Sequence, residues 1–337
     1  MWRKLEHAVE VASRVIPMVR SVVVHPELEW GEDPFMFEVA DVLLQRLPRC
    51  IGLRVQHCNW AASAYQREPP PSWARLEVLV LSMVDIRTST ADIARLARSC
   101  TALRTLVLDR VQWRESHIAV QDSVVHGPSK LQTFHVHPVR GYQLGPISDI
   151  LDMAHDVLKA LHVTVSLDFE LSDNRERLRR FLRAIRRCQA LDRLSYMVSV
   201  AGSHIPTIIE ELRTFYDVCK SIPPSCKQLD LHTDMRNVLW RPSDPVVIKE
   251  VRWDDIDGIL SAAPKLTFVR VGQFRTTQLS IPRSWGDAGK YHVRQHLRRF
   301  TERGGDLDVF IDATWTASHS PRNVGFWVET RDDFFVV

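Results

Sequence analysis

The chain has 337 residues, 45% hydrophobic and 25% charged, a composition that excludes a wholly disordered protein and allows a large buried core. Its 44 basic and 41 acidic residues leave a formal charge of +3, too little to impose nucleic acid or an anionic membrane as the obligatory partner. Only 13 glycines are present, about 4% of the chain where about 7% is usual, which argues against phosphate-cradling loops and tight hairpins.

From Met1 to His7 there is no basic segment leading into an apolar run and a cleavage site. No apolar run approaches the roughly 18 residues that span a bilayer, so a soluble, intracellular chain is expected, cytoplasmic or nuclear. Trp2, Leu5, Val9 and Ala12 share a helical face, and Met18 to Val24 reads as a first strand. A second helix, opened by Asp33-Pro34, carries Phe35, Val39, Val42, Leu43 and Leu47.

From Cys50 onward one phrase recurs: an apolar residue, two others, an apolar residue, one other, an apolar residue. Its clear copies are Leu76-x-x-Leu79-x-Leu81, Leu103-x-x-Leu106-x-Leu108, Leu131-x-x-Phe134-x-Val136, Leu158-x-x-Leu161-x-Val163, Leu191-x-x-Leu194-x-Tyr196 and Leu266-x-x-Val269-x-Val271. Weaker copies begin at Cys50 and Cys226. The starts at 50, 76, 103, 131, 158, 191, 226 and 266 are spaced by 26, 27, 28, 27, 33, 35 and 40 residues. Leucine-rich repeats have this period, with one strand and one helix per unit.

The segments between the copies read accordingly as helices. Ser89-x-x-Asp92 precedes Ile93, Leu96 and Ala97; Pro146 opens a stretch with Ile147, Ile150, Leu151 and Ala154. Asp173-x-x-Glu176 caps a run whose Leu178, Phe181, Leu182 and Ile185 line one face, and Pro206 opens one with Ile208, Leu212, Phe215 and Cys219. Pro69-Pro70-Pro71 breaks the segment from Asn59 to Trp73, which should hold a loop or short turn instead. His232 to Trp253 reads as an insertion, 272 to 287 as a second irregular stretch, and Gly304-Gly305 as the cap of a last helix before a terminal strand at Leu307 to Ile311. The expected fold class is therefore α/β: a leucine-rich-repeat solenoid, or horseshoe, over residues 1–311, with a parallel concave sheet and convex helices. Residues 312–337 are expected to form a C-terminal cap or a loose tail.

These phrases at irregular spacing, after a Trp-x-x-Leu helix and the strand Val19-Arg20-Ser21-Val22-Val23-Val24, resemble the leucine-rich-repeat half of fungal F-box-type proteins. The resemblance implies a non-catalytic substrate-recognition subunit of a ubiquitin ligase, whose repeats hold a protein. In that family an N-terminal F-box docks on the adaptor of a cullin-based ligase. No Leu-Pro-x-Glu followed by an Ile-Phe-like pair occurs in the first 50 residues, so the adaptor is expected as a partner only if an F-box is missing from this chain.

Repeat proteins usually bind through the concave sheet, onto which the residues flanking the apolar positions point. His135, His137, His162, Thr164, Arg193, Asp230, His232 and Arg270 are the candidate partner-binding residues there, among neighbours such as Ser195, Met197, Gln228 and Phe268. Imidazoles at i and i+2 on a strand can share zinc, but no Cys or carboxylate is fixed near His135, His137 and His162 as a fourth ligand, and no metal site or cofactor is assigned. His292-x-x-x-His296 has Val293 where a metalloprotease needs Glu. Seven arginines between Arg175 and Arg187 could meet phosphate or an acidic partner, but lie on the expected convex side, where charged helix faces are usually solvated. No nucleotide-binding or nucleophile-elbow motif is present. The six cysteines are scattered singly, as expected of reduced, buried thiols. The alternatives to a binding module are a metal-dependent enzyme using the concave histidines and a pure scaffold.

Overall fold

Because strand side chains alternate between faces, the second and third apolar residues of each phrase enter the core together, and the helix that follows supplies the other wall. The computed structural model describes residues 19–24, 42–56, 59–60, 71–86, 97, 99–113, 130–166, 172–200, 205–234, 247–274, 283–312 and 335–336. The chain divides into two compact units, 1–131 with 325–337, and 132–324. The fold is α/β, with parallel strands following one another in chain order within each unit, consistent with a leucine-rich-repeat solenoid.

In the first unit β1 (Ser21–Val24) and β2 (Gly52–Gln56) are followed by the short β3 (Asn59–Trp60), then by β4 (Val78–Ser82), β5 (Asp85–Ile86), β6 (Thr105–Asp109) and β7 (Gln112–Trp113). β1, β2, β4 and β6 pair in parallel, with Leu53, Leu79 and Leu106 in one row and Val55, Leu81 and Leu108 in the next. β3, β5 and β7 form a second, three-stranded parallel sheet. Between the two sheets the chain passes through left-handed residues, Met83 at φ 54° and Arg110 at φ 52°. The proline run ends, as expected, in a short 3-10 turn (Pro71–Arg75), which buries Trp73 completely. Arg75 ties this turn back, donating to the carbonyls of Cys50 at 3.3 Å and Leu47 at 3.1 Å. The helix expected before Cys50 is present over 42–46; its start, the N-terminal helix and most of the Ser89 helix lie outside the described residues.

The second unit alternates β8 (Thr133–Arg140), a 3-10 turn (Gly141–Gln143), α1 (Leu144–Ala154), β9 (Ala160–Ser166), α2 (Ser172–Arg187), β10 (Arg193–Ser199), α3 (Ile205–Lys220) and β11 (Gln228–Asp234). A 3-10 turn (Val247–Glu250), α4 (Trp253–Ala262), β12 (Phe268–Phe274), α5 (Arg283–His296), α6 (Arg298–Glu302) and β13 (Asp306–Asp312) complete it. β8 to β13 pair in parallel in that order. Phe134, Leu161, Leu194, Leu229 and Val269 form one fully buried row of the core. Against it lie Ile147, Ile150, Leu151 and Ala154 of α1, Phe181 and Ile185 of α2, and Ile208, Leu212, Phe215 and Cys219 of α3. Asp173 in the first turn of α2 and Arg186 and Arg187 in its last complement the helix dipole. Pro138 has no N–H for the ladder, and β8 slips there: the register shifts between Val136 and Val139.

Three expectations change. The insertion at 232–253 narrows, because β11 continues through Asp234, the 3-10 turn occupies Val247–Glu250 and α4 begins at Trp253; 235–246 lie outside the described residues. α4 was marked by no recurring phrase, yet Asp254 and Asp255 sit in its first turn, and Ile256 and Leu260 share its buried face. The irregular stretch at 272–287 loses both ends to β12 and α5, and the last helix becomes two. The glycine cap behaves as expected: Gly304 at φ 91° follows α6, and Gly305 N–H donates to Phe300 O at 3.1 Å. β14 (Phe335–Val336) runs parallel beside β1, while 313–334 lie outside the described residues.

Cys50, Cys100, Cys188, Cys219 and Cys226 are free and buried, and Cys58 lies outside the described residues. Burial pushes the Cys50 thiol up to about 11 and those of Cys100, Cys188 and Cys226 to about 12, which makes them inert. Cys50 and Cys226 repeat one contact, each thiol 3.2 Å from the carbonyl two residues on, as their shared place in the phrase requires.

Candidate functional site

In the second unit Tyr196 identifies the core face of the sheet: its hydroxyl donates to Thr214 Oγ1 at 3.1 Å and its ring meets Phe215 edge-on at 6.2 Å, both on α3. The residues between the core positions occupy the other, polar face in three rows. His135, His162, Ser195, Asp230, Arg270 and Asp308 stand in register across β8 to β13. Arg193, Gln228, Phe268 and Asp306 stand one pleat nearer the strand starts, and Thr164, Met197, His232, Gly272 and Phe310 one pleat further on. His137 lies in the β8 slip, where it and Pro138 together oppose Thr164.

The rows are knitted together. The His135 and His162 rings stack with centroids 4.2 Å apart and planes at 26°. Arg193 Nε donates to Gln228 Oε1 at 3.0 Å, and Gln228 Nε2 donates to the Asp230 carboxylate at 3.1 Å. Arg270 Nε donates to Asp308 Oδ2 at 2.9 Å, and the guanidinium lies 5.2 Å from the Phe268 ring centre. Gly272 makes room for His232 beside Phe310, whose rings are 5.6 Å apart. A Cβ at Gly272 would come within 2.2 Å of Phe310 and 2.6 Å of His232 Nδ1.

Standing on the polar face does not mean standing in solvent. His135, His162, Thr164, Asp230 and His232 are buried, Thr164 completely, whereas Arg193 and Arg270 are half-buried and His137 is partly open. Parallel strands set each of these side chains against a neighbour on either side, so the middle of the face closes on itself. The accessible part is the start of β10 to β13, where Gln228, Phe268 and Asp308 join Arg193 and Arg270. Asp308 and Phe310 are additions to the expected set. The alternation Leu307, Val309, Ile311 was the signal that would have assigned both to the polar face.

Burial governs the electrostatics. His162 is driven well below the ordinary histidine range by burial first, then by His135, His137 and His232. His232 is pushed down to about 3 by burial, reinforced by the Arg270 charge. Both imidazoles are therefore neutral at physiological pH. Burial lifts the Asp230 carboxyl, opposed by Gln228, Arg270 and Arg193. Among the described residues Thr164 Oγ1 is buried without a hydrogen-bond partner. Among the described residues no group of three or more His, Cys, Asp and Glu side chains is placed to hold a metal ion. His292 and His296 lie together on α5, ring centroids 4.3 Å apart, with His296 Nδ1 2.7 Å from Asp254 Oδ1 of α4, and so join two helices.

Among the described residues no helix is long and apolar enough to cross a membrane. Compared with known protein families and with curated proteins, the chain matches none.

Proposed function

We propose that this protein is a non-catalytic protein-binding module whose contact surface is the accessible end of the second unit's polar face. The observation that carries this reading is Arg270, half-buried between the Asp308 carboxylate and the Phe268 ring. Arginine and aromatic side chains anchor interfaces most often, and an arginine already ordered by its neighbours loses little rotamer freedom on binding. Arg193, with Gln228 and Asp230 behind it, extends the same surface. His135, His162 and His232, all buried, support it from within and are positioning rather than contact residues. The repeat phrase and the parallel fold together favour a substrate-recognition role of the F-box type, with the cullin-ligase adaptor as a partner only where an F-box accompanies the chain.

The test is quantitative affinity capture with cross-linking. Arg270→Ala and Phe268→Ala should each reduce recovery of a specifically enriched partner about tenfold or more, the range of an interface anchor, with circular dichroism unchanged. Full recovery by both variants would refute the assignment of this surface.

A further inference from the structure

The helix layer of the second unit holds a groove that the sheet surface does not use. It runs between α2 and α3, encloses about 590 Å³, and has Leu178, Leu182 and Thr214 at its base. Six cations and three carboxylates line it, so the groove alone carries a formal +3, equal to that of the whole chain. Helical spacing explains the concentration. Arg179, Arg183 and Arg186 fall at i, i+4 and i+7 along α2, and Arg213 and Lys220 stand seven residues apart on α3.

The carboxylates are used at one end of the groove. Glu176 pairs with Arg179 at 3.3 Å and Arg183 at 3.0 Å, and Glu210 bridges the helices, taking Arg175 and Arg213 at 3.0 Å each. Towards the last turns of both helices the balance reverses. Arg186 makes no ion pair among the described residues, and the Lys220 ammonium rests 4.4 Å above the Tyr216 ring with Asp217 as the nearby carboxylate.

We infer that this groove binds an acidic segment of a partner protein, a peptide that alternates carboxylates with apolar side chains. The carboxylates meet Arg186, whose guanidinium offers a forked pair of donors, and Lys220, and the apolar side chains reach Leu178 and Leu182. Nucleic acid fits less well. Glu176, Glu210 and Asp217 interrupt the cationic path a phosphate backbone would follow, and no aromatic side chain lines the groove to stack a base.

The experiment uses the full chain and fluorescence anisotropy with a labelled peptide of alternating Glu and Leu, a Lys-and-Leu peptide, and a single-stranded oligonucleotide of equal charge. The Glu-and-Leu peptide should bind, weaken as salt shortens the Debye length, and lose about tenfold or more in affinity on the Arg186→Glu, Lys220→Glu double substitution. Arg270→Ala, on the sheet face, should bind it unchanged, so this inference and the reading of that face fail separately. Absence of binding, equal binding of the Lys-and-Leu peptide, unchanged affinity in the double variant, or tighter binding of the oligonucleotide would each overturn the proposal.

Discussion

The two units build one phrase to different lengths. In the first, β4 and β6 stop at five residues, because Met83 and Arg110 turn left-handed and send the chain into the small second sheet. In the second, β9 to β13 run to seven residues, and each is followed or preceded by a full helix wherever the chain is described. The polar faces differ accordingly. In the first unit the last row, Gln56, Ser82 and Asp109, ends in a buried pair, Ser82 Oγ donating to Asp109 Oδ2 at 2.9 Å. The same row in the second unit holds Met197, His232 and Phe310, with strand still to follow. The difference teaches that a repeat phrase specifies only the strand's centre. How far the strand continues decides whether its polar face becomes a layered surface.

That contrast can be broken most sharply with acid. His162 and His232 stay neutral in the folded unit, so below the ordinary histidine pKa of 6.5 the unfolded chain takes up protons that the folded unit refuses. Stability is therefore complete above pH 6.5 and falls as pH drops, for His232 down to about pH 3, by up to about 1.4 kcal/mol per pH unit for each group. Asp230, whose pKa is raised by burial, works in the opposite sense once the carboxyl range is reached. Urea midpoints against pH should show the decline, and His232→Gln should flatten it; an unaltered slope would remove His232 from the account.

A smaller effect is expected at Gly272. Valine there collides with Phe310 and His232 and should cost about 1–3 kcal/mol in urea unfolding, and a neutral outcome would show that the second unit's outer row is loosely built. Tyr196→Phe removes the hydroxyl that bonds Thr214 and should cost about 1 kcal/mol, without changing the acid slope. The smallest change is a gain. Met83→Asn places a residue tolerant of left-handed backbone where β4 ends, and should add up to about 1 kcal/mol in thermal unfolding; a loss would mean that the Met83 side chain contributes more than its backbone costs.

Much of the helix layer was legible because its signals are local. Asp173 and the spacing of Leu178, Phe181, Leu182 and Ile185 describe α2 without reference to any other segment, and Gly304 marks the end of α6 by its own backbone freedom. The local signal for α4 is weak because its apolar stripe is short and follows a proline-bearing stretch, although Asp254 and Asp255 mark its start. The candidate residues of the sheet were legible as a set, since alternation alone assigns them to one face. Their partners were not: Arg270 meets Asp308 across 38 residues, and His162 meets His135 across 27.

By itself, then, the sequence determined that this chain is a series of parallel strand-and-helix repeats, because period-two alternation and helical spacing are properties of neighbouring residues. Only the tertiary structure decided which polar groups remain available. Exposure depends on what the adjacent strands bring alongside, and here they bury His135, His162, Asp230 and His232 while leaving Arg193, Phe268, Arg270 and Asp308 at the accessible end of the face.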